Sequence, residues 1–251
     1  MLSSVCGVLT DIDDTLTTGG AITLDAVGAL EALRAAGVRV VAITGRPTGW
    51  SASFAREWPL EAVVAENGAV ALYPDGTIEY VQDEATRARN AKRLAAAAAR
   101  VLRAVPGIKL ARDSAGRATD IAIDHSEFAA LDRATIERVV ALMREEGMQA
   151  TVSSIHVNGW YGGHDKWSGA NWIVSRLTGR VLEAEIERWA YVGDSTNDQV
   201  MFERFPLSVG VANLLRFERE LTVWPAYMAR GERGAGFAEV ARALVGARTS
   251  A

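Results

Sequence analysis

The sequence has almost none of the features that mark secreted or membrane-bound proteins. It contains a single cysteine, Cys6, so an intramolecular disulfide is impossible and a reducing compartment is favoured. Its apolar runs stay well short of the roughly 18 residues that span a bilayer, and no signal-peptide pattern precedes the acidic residues at position 11. We therefore expect a cytoplasmic protein with no membrane partner.

The chain also lacks an excess of basic charge. It has 27 Lys and Arg residues against 31 Asp and Glu residues, which gives a formal net charge of −4. No basic stretch offers the surface that DNA or RNA requires, so a small-molecule partner is expected and a nucleic-acid partner is not. The 251 residues can form one large domain or two smaller ones, and they do not indicate an oligomeric state.

The sequence does contain a cluster of acidic residues near its start. Asp11, Asp13 and Asp14 lie within four residues and follow the apolar run 5–9. An apolar run that ends in acids is typical of a buried parallel strand whose carboxyl end faces a ligand-binding crevice. Like charges this close repel each other unless a cation offsets them. The cluster therefore predicts a divalent metal, Mg²⁺, beside a phosphate group.

The segments that follow alternate between helix and strand patterns. Residues 24–36 carry apolar side chains at helical spacing, whereas 38–43 and 62–65 are short apolar runs typical of buried strands. The first run ends in Thr44-Gly45-Arg46 and the second in Glu66-Asn67-Gly68. This alternation predicts a parallel α/β sheet whose strand ends bring both polar segments to the crevice.

The pattern changes from about residue 69 and changes back at about residue 162. Residues 69–73 and 77–81 flank the turn Pro74-Asp75-Gly76 and predict a hairpin with which a different module begins. Helix, strand, strand, helix, strand and strand are then predicted, in that order, at 84–104, 108–111, 119–124, 128–146, 149–154 and 155–157. This order predicts an α+β layer, with two helices on one side of a small sheet, inserted into the α/β core.

A second acidic segment follows once the core resumes. Lys166 precedes a predicted helix, and a predicted strand leads into Gly193-Asp194-Ser195-Thr196-Asn197-Asp198. The predicted elements of this part are 168–177, 189–192, 197–205, 207–211 and 237–245. Residues 214–234 carry little pattern, apart from an edge strand predicted at 221–224 that Pro225 would end.

The two acidic segments supply what phosphoryl transfer requires. Asp11, at a strand end, suits an in-line nucleophile that forms an aspartyl-phosphate. Asp13, two residues later, can protonate the leaving alcohol and then activate water. Asp194 with Asp198 beside it would hold Mg²⁺, which prefers one or two carboxylates together with phosphate and water.

Other polar residues are candidates for binding the phosphate. Thr44 and the amides of Gly45 and Arg46 can surround phosphate oxygens, and Lys166 adds a positive charge to the same oxygens and to Asp11. Arg46 can either contact the substrate or pair with a carboxylate.

Candidates for lining the rest of the crevice are fewer. Strand alternation places His156 and Asn158 on one face, from which they could bind the leaving group. Asn67 ends the third predicted strand and is expected in the crevice wall.

Four segments, in this order along the chain, resemble the motifs of the haloacid dehalogenase-like (HAD) phosphatase superfamily. They are Asp11-Ile12-Asp13-Asp14-Thr15, Thr44-Gly45-Arg46, Lys166 and Gly193-Asp194-Ser195-Thr196-Asn197-Asp198. In that family, the first Asp is the nucleophile, the Asp two residues later is the acid/base, and the Thr and the Lys bind phosphate. The resemblance therefore implies these roles for Asp11, Asp13, Thr44 and Lys166.

The resemblance also implies a metal site. The last motif of the family binds Mg²⁺, which the carboxylate of the first Asp and the backbone carbonyl of the second also ligate. For this sequence, the implied ligands are Asp11, Asp13 and Asp194, with Asn197 and Asp198 in supporting or metal-linked roles.

The inserted layer is similar to a C2-type cap, so the resemblance covers nearly the whole chain. Such caps occur in the subgroup with sucrose-phosphate, trehalose-phosphate and mannosyl-3-phosphoglycerate phosphatases, Cof-type phosphatases and phosphomannomutase. We predict a Rossmann-like core at 1–72 and 162–251 and an α+β cap at 73–161. Asp13 favours phosphate-ester chemistry over dehalogenase chemistry, and Asp14 stands where many relatives have Gly.

The implied activity is that of a Mg²⁺-dependent phosphomonoesterase for a small phosphorylated metabolite, such as a sugar phosphate or a related ester. A sugar phosphomutase would use the same Asp11 and Asp13, and the sequence does not separate the two. A non-enzymatic phospho-switch or ligand sensor is less favoured, because it has no use for the insertion or for a leaving-group acid.

Overall fold

The computed structural model of the protein describes residues 2–249. Its strands are β1 (Gly7–Thr10), β2 (Thr17–Thr18), β3 (Ala21–Ile22), β4 (Arg39–Ile43), β5 (Ala62–Ala65), β6 (Val70–Leu72), β7 (Ile78–Tyr80), β8 (Asp120–Asp124), β9 (Gln149–Val152), β10 (His156–Trp160), β11 (Trp189–Gly193), β12 (Ser208–Gly210) and β13 (Tyr227–Met228). Its α-helices are α1 (Leu24–Ala35), α2 (Thr48–Glu57), α3 (Glu84–Ala104), α4 (Arg133–Glu145), α5 (Lys166–Thr178), α6 (Gln199–Arg204) and α7 (Arg233–Thr249). None of these helices has both the length and the apolar character needed to cross a membrane.

An eight-stranded sheet lies at the centre, in the order β13-β12-β11-β1-β4-β5-β6-β7. The strands from β13 to β5 in this order all pair in parallel, which confirms the predicted α/β class. Because parallel strands end at the same edge of a sheet, the segments after β1, β4, β5 and β11 meet at one crevice.

Both faces of this sheet are covered by helices. Val8 of β1 packs in an apolar cluster with α1, α2 and α7, whereas the next residue, Leu9, packs in a second cluster with α5 and α6. Both side chains are fully buried, which stabilises the fold by about 1.5–3 kcal/mol each. The near-continuous apolar runs in the sequence follow from this burial on two faces.

The predicted hairpin is present as β6 and β7, but the prediction that it begins a different module is wrong. β5 pairs antiparallel with β6, and β6 with β7, so the hairpin extends the central sheet. The exposed edge of β5 offers backbone donors and acceptors that need partners, and the adjacent hairpin satisfies them. Residues 78–80 thus lie in the central sheet although they fall within the predicted cap range 73–161. The division into two domains otherwise stays a prediction.

The α+β layer has the predicted helix-covered sheet, and we call this layer, α3 to β10, the cap. Its three strands lie in the order β8-β10-β9, and α3 and α4 pack on one face around a third apolar cluster. The predicted strand 108–111 is reduced to one isolated bridge between Leu110 and Ile123. Val157 of β10 points into the apolar cluster, so His156 and Asn158 point to the opposite face, as alternation predicts.

The edge strand predicted at 221–224 is wrong, because the edge of the sheet is β13, which follows Pro225. The backbone N–H groups of Thr222 and Val223 donate instead to Oε1 of Gln199, at 2.6 and 2.9 Å, and are not available for a strand. The last helix begins at Arg233, earlier than the predicted 237.

Candidate active site

Strand ends and one helix start supply the polar side chains of the crevice. Asp11 follows β1, Thr44 follows β4, Asp194 follows β11, and Lys166 is the first residue of α5. The amide of Asp11 donates to the carbonyl of Val192 at 2.9 Å, which keeps the ends of β1 and β11 side by side. Parallel pairing therefore brings together residues that are far apart in the sequence.

Lys166 lies within a buried group of carboxylates. Its Nζ donates to Oδ1 of Asp11 at 2.6 Å and to Oδ1 of Asp198 at 2.7 Å, and Oδ1 of Asn197 is 3.4 Å away. The Lys166 side chain is only 2% exposed. Oxygens of Asp11, Asp194 and Asp198 lie within 4.8 Å of one another. One ammonium group therefore faces three buried carboxylates.

Burial is the largest influence on these charges. It raises the pKa of Asp11 to about 7, against the attraction of Lys166 and with the help of Asp198 and Asp13. Burial and the neighbouring carboxylates also raise the pKa of Asp194 well above its ordinary value. Burial disfavours the charged form of Lys166, but Asp11 and Asp198 outweigh it and raise its pKa. A divalent cation would supply the charge that keeps all these carboxylates ionised.

Asp194 fits a hard divalent cation. Its Oδ2 accepts from Nδ2 of Asn213 at 3.0 Å, whereas its Oδ1 is buried and has no hydrogen-bond partner within residues 2–249. A buried carboxylate oxygen without a partner is costly unless it binds an ion. Carboxylate oxygens are the protein ligands that Mg²⁺ prefers, so this donor set suits that ion.

Asp198 differs because its oxygens are already engaged. Oδ1 accepts from Lys166 and from the hydroxyl of Tyr191 at 2.5 Å, and Oδ2 accepts from the backbone N–H groups of Asp194 and Ser195 at 2.9 and 3.1 Å. A carboxylate has about four acceptor positions, and these four donors use them. Asp198 therefore orients Lys166, and its role as a metal ligand beside Asp11 and Asp194 stays a prediction.

Thr44, Gly45 and Asn67 line the crevice at the ends of β4 and β5. Oγ1 of Thr44 accepts from the amide of Arg46 at 3.0 Å, and its own proton remains for donation. Nδ2 of Asn67 is buried and has no hydrogen-bond partner in the described part of the chain. A Cβ at Gly45 would come within 3.3 Å of side-chain oxygens of Asn67 and Asn158. An unused donor next to a position where a side chain would crowd its neighbours favours the approach of an anion.

Arg46 pairs with carboxylates from the core and from the cap. Its Nε and Nη2 donate to the Asp13 carboxylate over 2.9, 3.0 and 3.1 Å. Nη1 donates to Asp113 at 3.2 Å, and Nη2 also donates to Glu127 at 2.7 Å. Of the two contacts that the sequence allows for Arg46, the structure therefore has carboxylate pairing. This pairing fixes the orientation of Asp13.

Further hydrogen bonds join the cap to the phosphate-binding segment. The carbonyl of Gly45 accepts from Nδ2 of Asn158 at 3.2 Å and from Nη1 of Arg117 at 3.0 Å. The fully buried carboxylate of Glu66 accepts from both parts, namely from Thr48 in the core and from Ala118 and Thr119 in the cap. Asn158 thus contacts the backbone of the crevice, and Glu66 holds the cap against it.

His156 is connected to Arg46 through Glu127. Nε2 of His156 lies 2.9 Å from Oε2 of Glu127, whose other oxygen accepts from Arg46. Burial alone would raise the pKa of Glu127, but the hydrogen bonds from His156 and Arg46 outweigh it and lower the pKa to about 2. Glu127 is therefore ionised throughout the neutral range and holds the cap to the core.

We expect Glu127→Gln to lower the free energy of unfolding by roughly 1–2 kcal/mol at neutral pH, a value discounted for the partial exposure of the group. The pKa of Glu127 falls from 4.5 to about 2 on folding. Its stabilisation is therefore complete above about pH 4.5 and is lost as the pH falls towards about 2. Urea unfolding of both proteins at several pH values measures the difference. Glu145→Gln, an exposed change on α4, is the matched control, and a Glu127→Gln effect of equal size at pH 3 and pH 7 would contradict the assignment.

Several residues of this site were not among those predicted from the sequence. Asn213 donates from Nδ2 to Oδ2 of Asp194 and to the carbonyl of Asp14, both at 3.0 Å, and Tyr191 holds Asp198. Glu127 connects His156 to Arg46. A single Asn, Tyr or Glu carries no local pattern, and only the alternation of β11, which places Tyr191 on one face of the strand, could have drawn attention to one of them.

Comparison with known proteins agrees with this geometry. Residues 8–100 match the family model of haloacid dehalogenase-like hydrolases. No curated protein matches the sequence significantly. The family match covers the first two motifs, with Asp11, Asp13 and Thr44.

Solved structures extend the similarity to nearly the whole chain. A Thermoplasma acidophilum protein superposes with a TM-score of 0.72 at 17% identity, over 96% of this chain and 98% of that chain. The sucrose-phosphatase of Synechocystis sp. PCC6803, solved with sucrose and phosphate, gives a TM-score of 0.68 at 17% identity, over 95% and 97%. A Plasmodium vivax protein described as HAD/COF-like gives 0.68 at 16% identity, over 95% of each chain. The protein therefore has the haloacid dehalogenase-like fold, which confirms the predicted resemblance for the architecture and, through the family model, for the first two motifs.

Proposed function

We propose that the protein is a Mg²⁺-dependent phosphomonoesterase that hydrolyses a small phosphate ester through an aspartyl-phosphate on Asp11. One observation carries the proposal: Asp11 lies 2.6 Å from the buried ammonium of Lys166 and beside Asp194, whose Oδ1 has no partner among residues 2–249. A nucleophile, a fixed cation and an oxygen available to a metal thus occupy one crevice. These are the groups that phosphoryl transfer requires.

In the first half of the reaction, an oxygen of Asp11 attacks the phosphorus atom and the bond to the alcohol oxygen breaks. Asp13 donates a proton to that oxygen, so that the alcohol leaves neutral. Arg46 holds Asp13 in place through three short contacts. Lys166 and the hydroxyl of Thr44 donate hydrogen bonds to the phosphoryl oxygens as charge builds on them.

In the second half, Asp13 takes a proton from water, which attacks the phosphorus of the aspartyl-phosphate. The bond between phosphorus and Asp11 breaks, phosphate leaves, and the carboxylate is restored. Asp11, Asp194 and the backbone carbonyl of Asp13 would hold the Mg²⁺, which when bound withdraws negative charge from the transferred oxygens. Asp198 keeps Lys166 directed at Asp11 in both halves.

The substrate is proposed to be a sugar phosphate or a related ester, with His156 and Asn158 of the cap near the leaving group. The fold similarity to a sucrose-phosphatase supports a sugar phosphate. The cap donates hydrogen bonds to Gly45 and Glu66 and thereby lies closed over the crevice. A closed crevice supports a reaction that is shielded from water.

The direct test measures phosphate release from a panel of sugar, polyol and hydroxy-acid phosphates, with Mg²⁺ and after its removal by EDTA. We expect release that falls by roughly 100-fold or more without metal and returns when Mg²⁺ is added. Phosphate release that EDTA does not change would contradict the proposed requirement for Mg²⁺. No release by a folded protein that binds Mg²⁺ would contradict the phosphatase, and dependence on a sugar bisphosphate would identify the mutase instead.

A further inference from the structure

A cavity of about 430 Å³ opens beside Asp13, where the alcohol part of a phosphate ester would lie. This volume is within the usual range for small-molecule sites. The side chains of Asp13 and Arg46 are 11% and 5% exposed, whereas those of Arg233 and Arg216, also in its wall, are 25% and 53% exposed. The acid/base therefore lies at the inner end of the cavity, and two arginines lie at the outer end.

Arg233 has a backbone conformation that normally favours glycine. Its φ is +52° and that of Asp14 is +55°, so two non-glycine residues of the cavity wall lie in the left-handed region. The Cβ atoms of both residues make this conformation unfavourable. Glycine would adopt it without this cost, and glycine does occur nearby at Gly231 and Gly234. Residues persist in such conformations where the surroundings hold them and where they often serve a function.

Hydrogen bonds from the active site hold Arg233 in this conformation. Its Nε donates to Oδ1 of Asp14 at 2.7 Å, and its backbone N–H donates to Oδ1 of Asn213 at 2.9 Å. Nδ2 of Asn213 in turn donates to the carbonyl of Asp14 and to Oδ2 of Asp194, both at 3.0 Å. The position of Arg233 is therefore set by the same residues that set the acidic centre.

Within residues 2–249, the two outer arginines keep N–H donors that are not in short hydrogen bonds. Nη1 of Arg233 lies 3.8 Å from Oε2 of Glu232, and Nη2 of Arg216 lies 3.5 Å from the same oxygen. Both distances exceed the usual hydrogen-bond range of about 2.7–3.2 Å. Arg46, in contrast, binds three carboxylates within 3.2 Å. Two guanidinium groups in the outer wall can therefore donate hydrogen bonds to a further, anionic partner.

The acids of the same wall do not oppose such a partner strongly. Asp14 is paired with Arg233 at 2.7 Å, and Glu127 is paired with Arg46 at 2.7 Å and with His156 at 2.9 Å. Their charges are compensated within the protein, whereas among residues 2–249 the one acidic partner of Arg216 is the half-exposed Glu232, at 3.5 Å.

We propose that Arg216 and Arg233 form a binding site for a carboxylate on the leaving group. The inference rests on the proposed phosphatase function and narrows it: the preferred substrates are small phosphate esters of hydroxy acids, with the phosphate at Asp11 and the carboxylate at the two arginines. The planar guanidinium group suits a carboxylate because it can donate two parallel hydrogen bonds.

Two esters that differ only in this group test the proposal. In 3-phosphoglycerate, a carboxylate stands where glycerol 3-phosphate has a hydroxymethyl group. We expect the wild-type protein to have a kcat/KM roughly 10- to 100-fold higher for 3-phosphoglycerate, mainly through KM. Arg216→Gln and Arg233→Gln should each lower this ratio, and the double variant should bring it close to one. Arg219→Gln, an exposed change three residues from Arg216 that does not line the cavity, is the matched control and should keep the ratio.

A wild-type ratio close to one, or a ratio that survives in the double variant, would overturn the proposal. Arg216 is half exposed, so its variant tests the site even if Arg233→Gln disturbs the fold. The dissociation constants of both compounds, measured by calorimetry on the Asp11→Asn protein, separate this proposal from the phosphatase function. One outcome is that the Asp11→Asn protein binds 3-phosphoglycerate more tightly, in a way that depends on the two arginines, while the wild type does not hydrolyse it. That result would support the carboxylate site and contradict the phosphatase function. Equal binding of the two compounds would remove the carboxylate site.

Discussion

Asp11→Asn is expected to reduce phosphate release by roughly 10⁴-fold or more, because an amide cannot attack phosphorus as a carboxylate does. The substitution keeps the shape of the side chain. It also removes a carboxylate whose charged form is unfavourable in the folded protein, because burial raises the pKa of Asp11 to about 7. We therefore expect the metal-free variant to be at least as stable as the wild type at neutral pH. Phosphate release with Mg²⁺, together with thermal unfolding in EDTA, measures both effects.

A matched control separates the loss of the nucleophile from a general effect of removing acid. Asp25→Asn makes the same chemical change at an exposed position in the first turn of α1, and it should leave turnover unchanged. Turnover by Asp11→Asn at more than a small fraction of the wild-type rate would show that another group is the nucleophile. Loss of folding in the variant would instead show that the Asp11 carboxylate is needed by Lys166 for structure.

Lys166→Met is expected to lower the free energy of unfolding by about 3–5 kcal/mol in EDTA, the usual cost of breaking a buried ion pair. Its Nζ is within 2.7 Å of both Asp11 and Asp198, and the side chain is buried. The methionine side chain fills similar space but leaves three carboxylates without a cation. Since a divalent ion restores positive charge there, Mg²⁺ should recover part of the stability but not the activity. Urea unfolding with and without Mg²⁺ measures these effects.

A second substitution tests the cause of that instability. Asp198→Asn in the Lys166→Met background removes one uncompensated carboxylate and should recover part of the lost stability, a coupling that a double-mutant cycle resolves. Lys92→Met, at an exposed position of α3, is the control for the change from lysine to methionine and should have little effect. A Lys166→Met protein as stable as the wild type in EDTA would contradict the view that Lys166 compensates the cluster.

Elements defined by neighbouring residues in the sequence could be predicted, whereas those that depend on contacts between distant segments could not. Buried parallel strands such as β1, β4 and β11 were predicted to within one or two residues at each end, because burial on both faces leaves a continuous apolar run. The hairpin β6–β7 was recognised locally but assigned to the wrong module. Its turn specifies how its two strands pair with each other, and the edge of β5 specifies which sheet they join. The edge strand β13 was missed, since Gln199 decides which backbone groups before Pro225 are available.

The candidate site shows the same division at the level of single residues. Asp11, Thr44 and Asp194 could be found because each follows a recognisable strand, and the structure brings them to one crevice with Lys166. Glu127 could not be found in this way. It lies in a turn after β8, and its importance comes only from contacts with Arg46 and His156.

The amino-acid sequence by itself determined which chemical groups stand at the ends of the parallel strands, since apolar runs and the polar residues that end them are local patterns. Only the tertiary structure decided which charge meets which. Lys166 meets Asp11 across 155 residues and Arg233 meets Asp14 across 219 residues, whereas Arg46 binds two cap acids besides Asp13. Such pairings depend on distances of a few ångströms between segments remote in the chain, and these distances exist only after strand order and the closure of the cap have been set.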